Sequence, residues 1–109
     1  MTLSSQEMKV LEAESASFAG EHNTYLAQAI DAIRRSGDPQ AAARLLRALS
    51  RSRDARPKQK TAQVHVSRWI VERVRSEPEV AAERIILELG WLRRLSVARN
   101  AELLGLRKK

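Results

Sequence analysis

The chain has no cysteine, which excludes a disulfide framework and any thiolate-held metal. Aromatic residues are scarce: Phe18, Tyr25, Trp69 and Trp91 are all there are. A core must therefore be assembled from Leu, Ile, Val and Ala. No apolar run approaches the ~20 residues of a membrane-spanning helix, so no membrane partner is expected. The opening MTLSSQEMKV lacks the basic-then-apolar order of a signal peptide, and the expected location is the cytoplasm. Two histidines, His22 and His65, lie far apart with no ligand-like spacing, so neither a metal site nor a cofactor is expected. There is no glycine-rich phosphate loop, no nucleophile elbow and no paired-carboxylate signature. No residue stands out as catalytic, and the chain reads as a non-enzyme.

What is present is helix-forming. A length of 109 residues suits one domain with a modest core, and Ala, Arg, Glu and Leu dominate. Strand-like alternation is confined to residues 61–67. The expected fold is all-α, a small bundle of five to six helices. Charge divides the chain. Residues 1–33 carry Lys9 against five acids, whereas residues 34–109 carry nineteen bases against eight acids. This gives an acidic N-terminal helical segment, 1–20, and a basic helical domain, 21–109. A basic body calls for a polyanionic partner. The acidic segment either docks a protein partner or folds back on the body.

In chain order, Ser4 and Glu7 have the spacing of a capping box. The helix after them carries Met8, Leu11 and Phe18 and should end by Gly20. Thr24 is placed to cap a helix over Tyr25–Arg35, with Leu26, Ala29, Ile30 and Ile33 on one face. Asp38-Pro39 starts a third helix with cap and N1 proline in order. Leu45, Leu46 and Leu49 form its apolar stripe, and Arg44, Arg47 and Arg51 recur on the opposite side. The short link makes these two helices an αα-hairpin. The run RSRDARPKQK, residues 51–60, sets Arg51, Arg53, Arg56, Lys58 and Lys60 against Asp54 alone. It reads either as a solvated linker or as a phosphate-contacting loop.

Ser76-Glu77-Pro78-Glu79 has the form of a second capping box. It opens a helix from Glu77 to about Leu95 that Gly90 weakens or kinks. That helix has one stripe of Ala82, Ile85, Ile86 and Leu89 and another of Leu87, Trp91 and Leu95. The second stripe is the nominated dimer interface. Ser96 is placed to cap a last helix, Val97–Leu104, ended by Gly105. Arg107-Lys108-Lys109 is a basic tail.

Between these lies PKQKTAQVHVSRWIVERVRS, residues 57–76, with valines at 64, 66, 71 and 74. This stretch resembles the helix-turn-helix of DNA-binding regulators. The resemblance implies a first helix from Pro57 to Val64, a turn at His65 and a second helix capped by Ser67. Val71 and Val74 would hold the second helix to the body, leaving Ser67, Arg68, Trp69, Glu72 and Arg73 facing outward. Trp69 stacks on a base under that reading, or packs in the core at helical spacing with Ile70.

The expected function is a small nucleic-acid-binding protein, a transcriptional regulator with DNA ahead of RNA as its target. The nucleic-acid-binding residues would be Arg51, Arg53, Arg56, Lys58, Lys60, Ser67, Arg68 and Arg73, with a homodimer through Leu87, Trp91 and Leu95. The alternative is a helical protein-interaction module: an adaptor, an antitoxin-like inhibitor or a small ribonucleoprotein subunit.

Overall fold

A computed structural model describes residues 2–18 and 22–103, the last four of these by backbone alone. Five helices lie among these residues: α1 (Ser5–Ser15), α2 (His22–Ser36), α3 (Pro39–Ser50), α4 (Pro57–Ser76) and α5 (Ala82–Leu103). No strand occurs among the described residues, as the helix-forming composition requires.

The starts of α1 and α3 follow from local chemistry. Ser4 N–H donates to Glu7 Oε1 at 2.8 Å, and Glu7 N–H returns a bond to Ser4 Oγ at 3.1 Å. Asp38 Oδ1 accepts from Gln40 N–H at 2.9 Å, ahead of Pro39 at the first helical position. Between α2 and α3 the chain reverses through Gly37, whose φ of 72° is the left-handed conformation that lets glycine close a helix.

One core joins all five helices. Leu26, Ile33, Leu46, Val66, Ile70, Ile85, Leu89 and Leu92 are its fully buried large side chains, and Leu11 and Phe18 extend it to the N-terminal segment. The acidic segment is thus folded onto the body, with α1 resting mainly on α5. The most extensive pairing is α3 with α4. Ala42, Ala43 and Ala62 are buried there, and side chains this small let two helix axes approach closely. Ser67, also fully buried, donates its hydroxyl to the Ala43 carbonyl at 2.9 Å.

Several local expectations are corrected. The turn at His65 is not formed: α4 runs unbroken from Pro57 to Ser76, and no non-glycine residue among those described has a positive φ. An unbroken helix keeps every backbone bond and puts Ala62, Val66 and Ile70 on one buried face. Of the four valines in the helix-turn-helix spacing, Val66 alone is buried. Ser67 is therefore an interior residue, not a cap. The second capping box is also absent. Ser76 ends α4 and its hydroxyl donates to the Arg73 carbonyl at 2.8 Å, and α5 begins at Ala82.

At Ser96 no new helix begins. Its hydroxyl is buried within α5 and donates to the Phe18 carbonyl at 3.0 Å. Gly90 does not divide α5. α2 starts at His22, which leaves Thr24 inside it. The α3 stripe is displaced as well. Leu46 is buried with Ala42 and Ala43, while Leu45 and Leu49 are 44% and 37% exposed. The expected helix ends at Gly20 and Gly105, and the basic tail, lie outside the described residues.

Candidate nucleic-acid interface

Packing sets which way α3 and α4 turn their charges. With Ala42, Ala43, Leu46 and Ser50 facing inward, α3 exposes Arg44, Arg47 and Arg51 at i, i+3 and i+7. The link from Arg51 to Arg56 leaves Arg53 and Arg56 in solvent, and Lys58 and Lys60 follow, exposed, on the first turn of α4. That turn contains no acidic residue. A helix N-terminus carries positive partial charge and ordinarily attracts carboxylates, so Arg56, Lys58 and Lys60 add cations to an end that is already positive. Arg68 is exposed farther along α4. The Ser67–Ala43 bond brings α3 and α4 to the same height there, so Arg44 and Arg68 stand level on the hairpin.

From Arg44 to Arg68 the sequence has eight bases against one acid, Asp54. Arg44 meets Asp38 at 3.5 Å in an exposed pair, a contact of little energy. Arg47, Arg51, Arg53, Arg56, Lys58, Lys60 and Arg68 make no ion pair among the described residues.

Two residues expected at the interface stand elsewhere. Ser67 is fully buried and spends its hydroxyl on α3, so it has no path to a ligand. Arg73 belongs to an ion network joining α1, α4 and α5. Its Nε and Nη2 meet the two oxygens of buried Glu88 at 2.6 and 2.8 Å, and its Nη1 reaches Glu77 at 3.0 Å. Arg84 Nε also donates to Glu88 at 2.8 Å, and Arg84 pairs with Glu7 at the start of α1. Burial pushes the Glu88 carboxyl up, but hydrogen bonds from Arg73 and Arg84 outweigh it and hold it below the usual range. The same bonds raise Arg73 further above its ordinary value. Trp69 is half-buried, and its indole N–H donates to Glu14 at 3.0 Å, so its polar edge is tied to α1.

Leu87, Trp91 and Leu95 are each half-buried. Trp91 and Leu95 pack against the core, and the Arg94 guanidinium lies 4.9 Å over the Trp91 ring. Leu87 lines an open furrow between α2 and α5.

The two histidines do meet. Phe18, His22 and His65 form a triangle of rings with centroids 4.5 to 5.3 Å apart, and Ser17 Oγ lies 3.3 Å from His65 Nε2. Burial, with help from Arg68, depresses the His65 pKa. Their sequence separation hides this contact, because the packing of α2 against α4 creates it, with Phe18 of the segment after α1 laid beside both rings. Among the described residues no three histidines or carboxylates gather as metal ligands, and no helix is long and apolar enough to cross a membrane.

Comparison with protein-family models, curated proteins and solved structures finds no match to this chain.

Proposed function

We propose that this chain is a small nucleic-acid-binding protein that grips phosphates with the α3–α4 hairpin. Duplex DNA comes ahead of RNA, and regulation of transcription is the role such binding would serve. One observation carries the reading. Seven exposed cations of the α3–α4 hairpin and its link, Arg47, Arg51, Arg53, Arg56, Lys58, Lys60 and Arg68, have no carboxylate partner among the described residues. Left unpaired, they repel one another, and a polyanion removes that cost. Because the turn at His65 is missing, the reading rests on backbone contact and not on a recognition helix in the major groove.

The test is binding of labelled duplex DNA and single-stranded RNA across a salt titration. Affinity should fall with a log–log slope of roughly 0.9 per phosphate contacted on duplex DNA. Replacing Arg51, Arg53 and Arg56 together with Ala should flatten that slope. Absence of binding to either polymer at low salt would overturn the reading.

A further inference from the structure

A second feature lies away from the hairpin, in the furrow between α2 and α5. Each helix lends it one continuous stripe. From α2 come Ala27, Ile30, Asp31 and Arg34, and from α5 come Ile86, Leu87, Gly90, Arg93 and Arg94. The open volume is about 440 Å³. Its floor is apolar, through Ile30, Ile86 and Leu87, and Val97, 48% exposed, continues the α5 stripe one turn further. The rim is basic. Arg34, Arg93 and Arg94 have no carboxylate partner among the described residues, and Asp31, the acid present, is engaged by Arg35 at 3.1 Å.

Gly90 sits in this floor, and nothing inside the chain accounts for it. Glycine weakens a helix interior, yet Gly90 has no left-handed conformation and a Cβ built there would meet no atom within 4 Å. The Cβ position lies in open space at the furrow that Gly90 lines. A glycine at the bottom of an apolar groove lets another backbone come close.

We infer that the α2–α5 furrow docks an acidic amphipathic helix of a partner protein, its backbone crossing nearest Gly90. The stripe from Ile86 to Val97 spans about 17 Å at 1.5 Å per residue, roughly three turns of a partner helix. Leucine-like side chains fill the floor over Ile30, Ile86 and Leu87, and flanking carboxylates meet Arg34, Arg93 and Arg94. A second copy of the chain is the wrong occupant. A two-fold interface presents the same patch from both sides, which would bring two rims of net positive charge together. A nucleic-acid backbone satisfies the arginines but leaves the apolar floor uncovered.

The test uses the full chain and an 18-residue fluorescein-labelled peptide of Ala, Leu and Glu, with a leucine stripe flanked by glutamates, read by anisotropy. The acidic peptide should bind, and the same peptide with Lys for Glu should not. Gly90→Trp places an indole in the furrow from a position where a Cβ meets no atom within 4 Å, and it should weaken binding at least about tenfold, as should Arg93→Glu with Arg94→Glu. Circular dichroism confirms that these variants stay folded, and duplex DNA binding by Gly90→Trp should be unchanged. Equal binding of both peptides, no binding of the acidic one, or full binding by Gly90→Trp would overturn the inference. Self-association lost in Gly90→Trp would overturn it in favour of a second copy. Displacement of the peptide by duplex DNA would overturn it in favour of nucleic acid.

Discussion

Arg73 on α4 and Glu88 on α5 meet as a two-pronged pair, Nε to Oε1 at 2.6 Å and Nη2 to Oε2 at 2.8 Å. Glu88 is 5% exposed. A carboxylate so deeply placed is tolerable only because Arg73 and Arg84 both point at it. Removing it should be far worse than replacing the whole pair. Glu88→Ala leaves two half-buried cations facing each other and should cost about 3–5 kcal/mol. Arg73→Met combined with Glu88→Leu should cost clearly less. Urea denaturation of Glu88→Ala checks the first figure, and Arg73→Met, Glu88→Leu and their double variant form the cycle that checks the second.

The same groups give stability a two-step dependence on acid. His65 has a folded pKa below its unfolded value. Its contribution is therefore full above the ordinary imidazole pKa and is lost as pH falls through the depressed one. Glu88 and Glu7, the latter held down first by the Ser4 backbone N–H, are also depressed. Their contribution persists to lower pH and is lost below the ordinary carboxylate range. Melting temperature followed from pH 8 to pH 3 should fall in two stages. His65→Phe keeps a ring in the triangle and should flatten the first stage, and Glu88→Gln should flatten the second.

Arg68 and Arg73 should behave as opposites although both belong to α4. Arg68 is exposed and makes no ion pair among the described residues, so Arg68→Ala should weaken DNA binding and change stability by less than about 0.5 kcal/mol. Arg73→Ala should lower stability by about 3 kcal/mol, because it removes two of the three guanidinium hydrogen bonds to buried Glu88 and leaves it with Arg84 alone. In conditions where that variant is folded, it should keep its affinity for DNA. Parallel melting and binding measurements on the two variants separate these roles.

Leu46 and its neighbours test which face of α3 is inward. Leu46 is fully buried, and Leu46→Ala should cost about 2–5 kcal/mol. Leu45→Ser and Leu49→Ser replace exposed side chains and should each cost less than about 1 kcal/mol. Chemical denaturation midpoints at constant m-value give the comparison.

The all-α class was legible because it follows from composition, and the caps at Ser4 and Asp38 because they depend on residues within four positions. The α2 face was legible for the same reason: Leu26, Ala29 and Ile33 are buried at their helical spacing. Arg73 could not be read this way. Helical periodicity marks it as polar and outward, but its partner Glu88 lies fifteen residues away on another helix. Ser67 and Ser96 misled in a related manner. A serine is a good cap, yet each spends its hydroxyl on a carbonyl of a different segment, at Ala43 and Phe18. The break expected at His65 came from valine spacing, whereas burial follows the Ala62–Val66–Ile70 repeat, in which alanine gives a weak signal. The basic run at 51–60 was visible as charge, and the structure adds that its cations find no ion-pair partner among the described residues.

α1 shares little of the cohesion that binds α3 to α4. Leu11 and Phe18 anchor it by apolar contact, while Glu7–Arg84, Glu14–Trp69 and Ser96–Phe18 hold it by polar contact. A segment held mainly by one neighbouring helix should open as its own cooperative unit. Its amide protons should exchange with solvent ahead of those in α3 and α4, and faster at high salt, where the Glu7–Arg84 attraction is screened. Trp69, released from Glu14 on each opening, is a native fluorophore placed at the seam, and its emission should register these openings while the rest of the bundle stays folded.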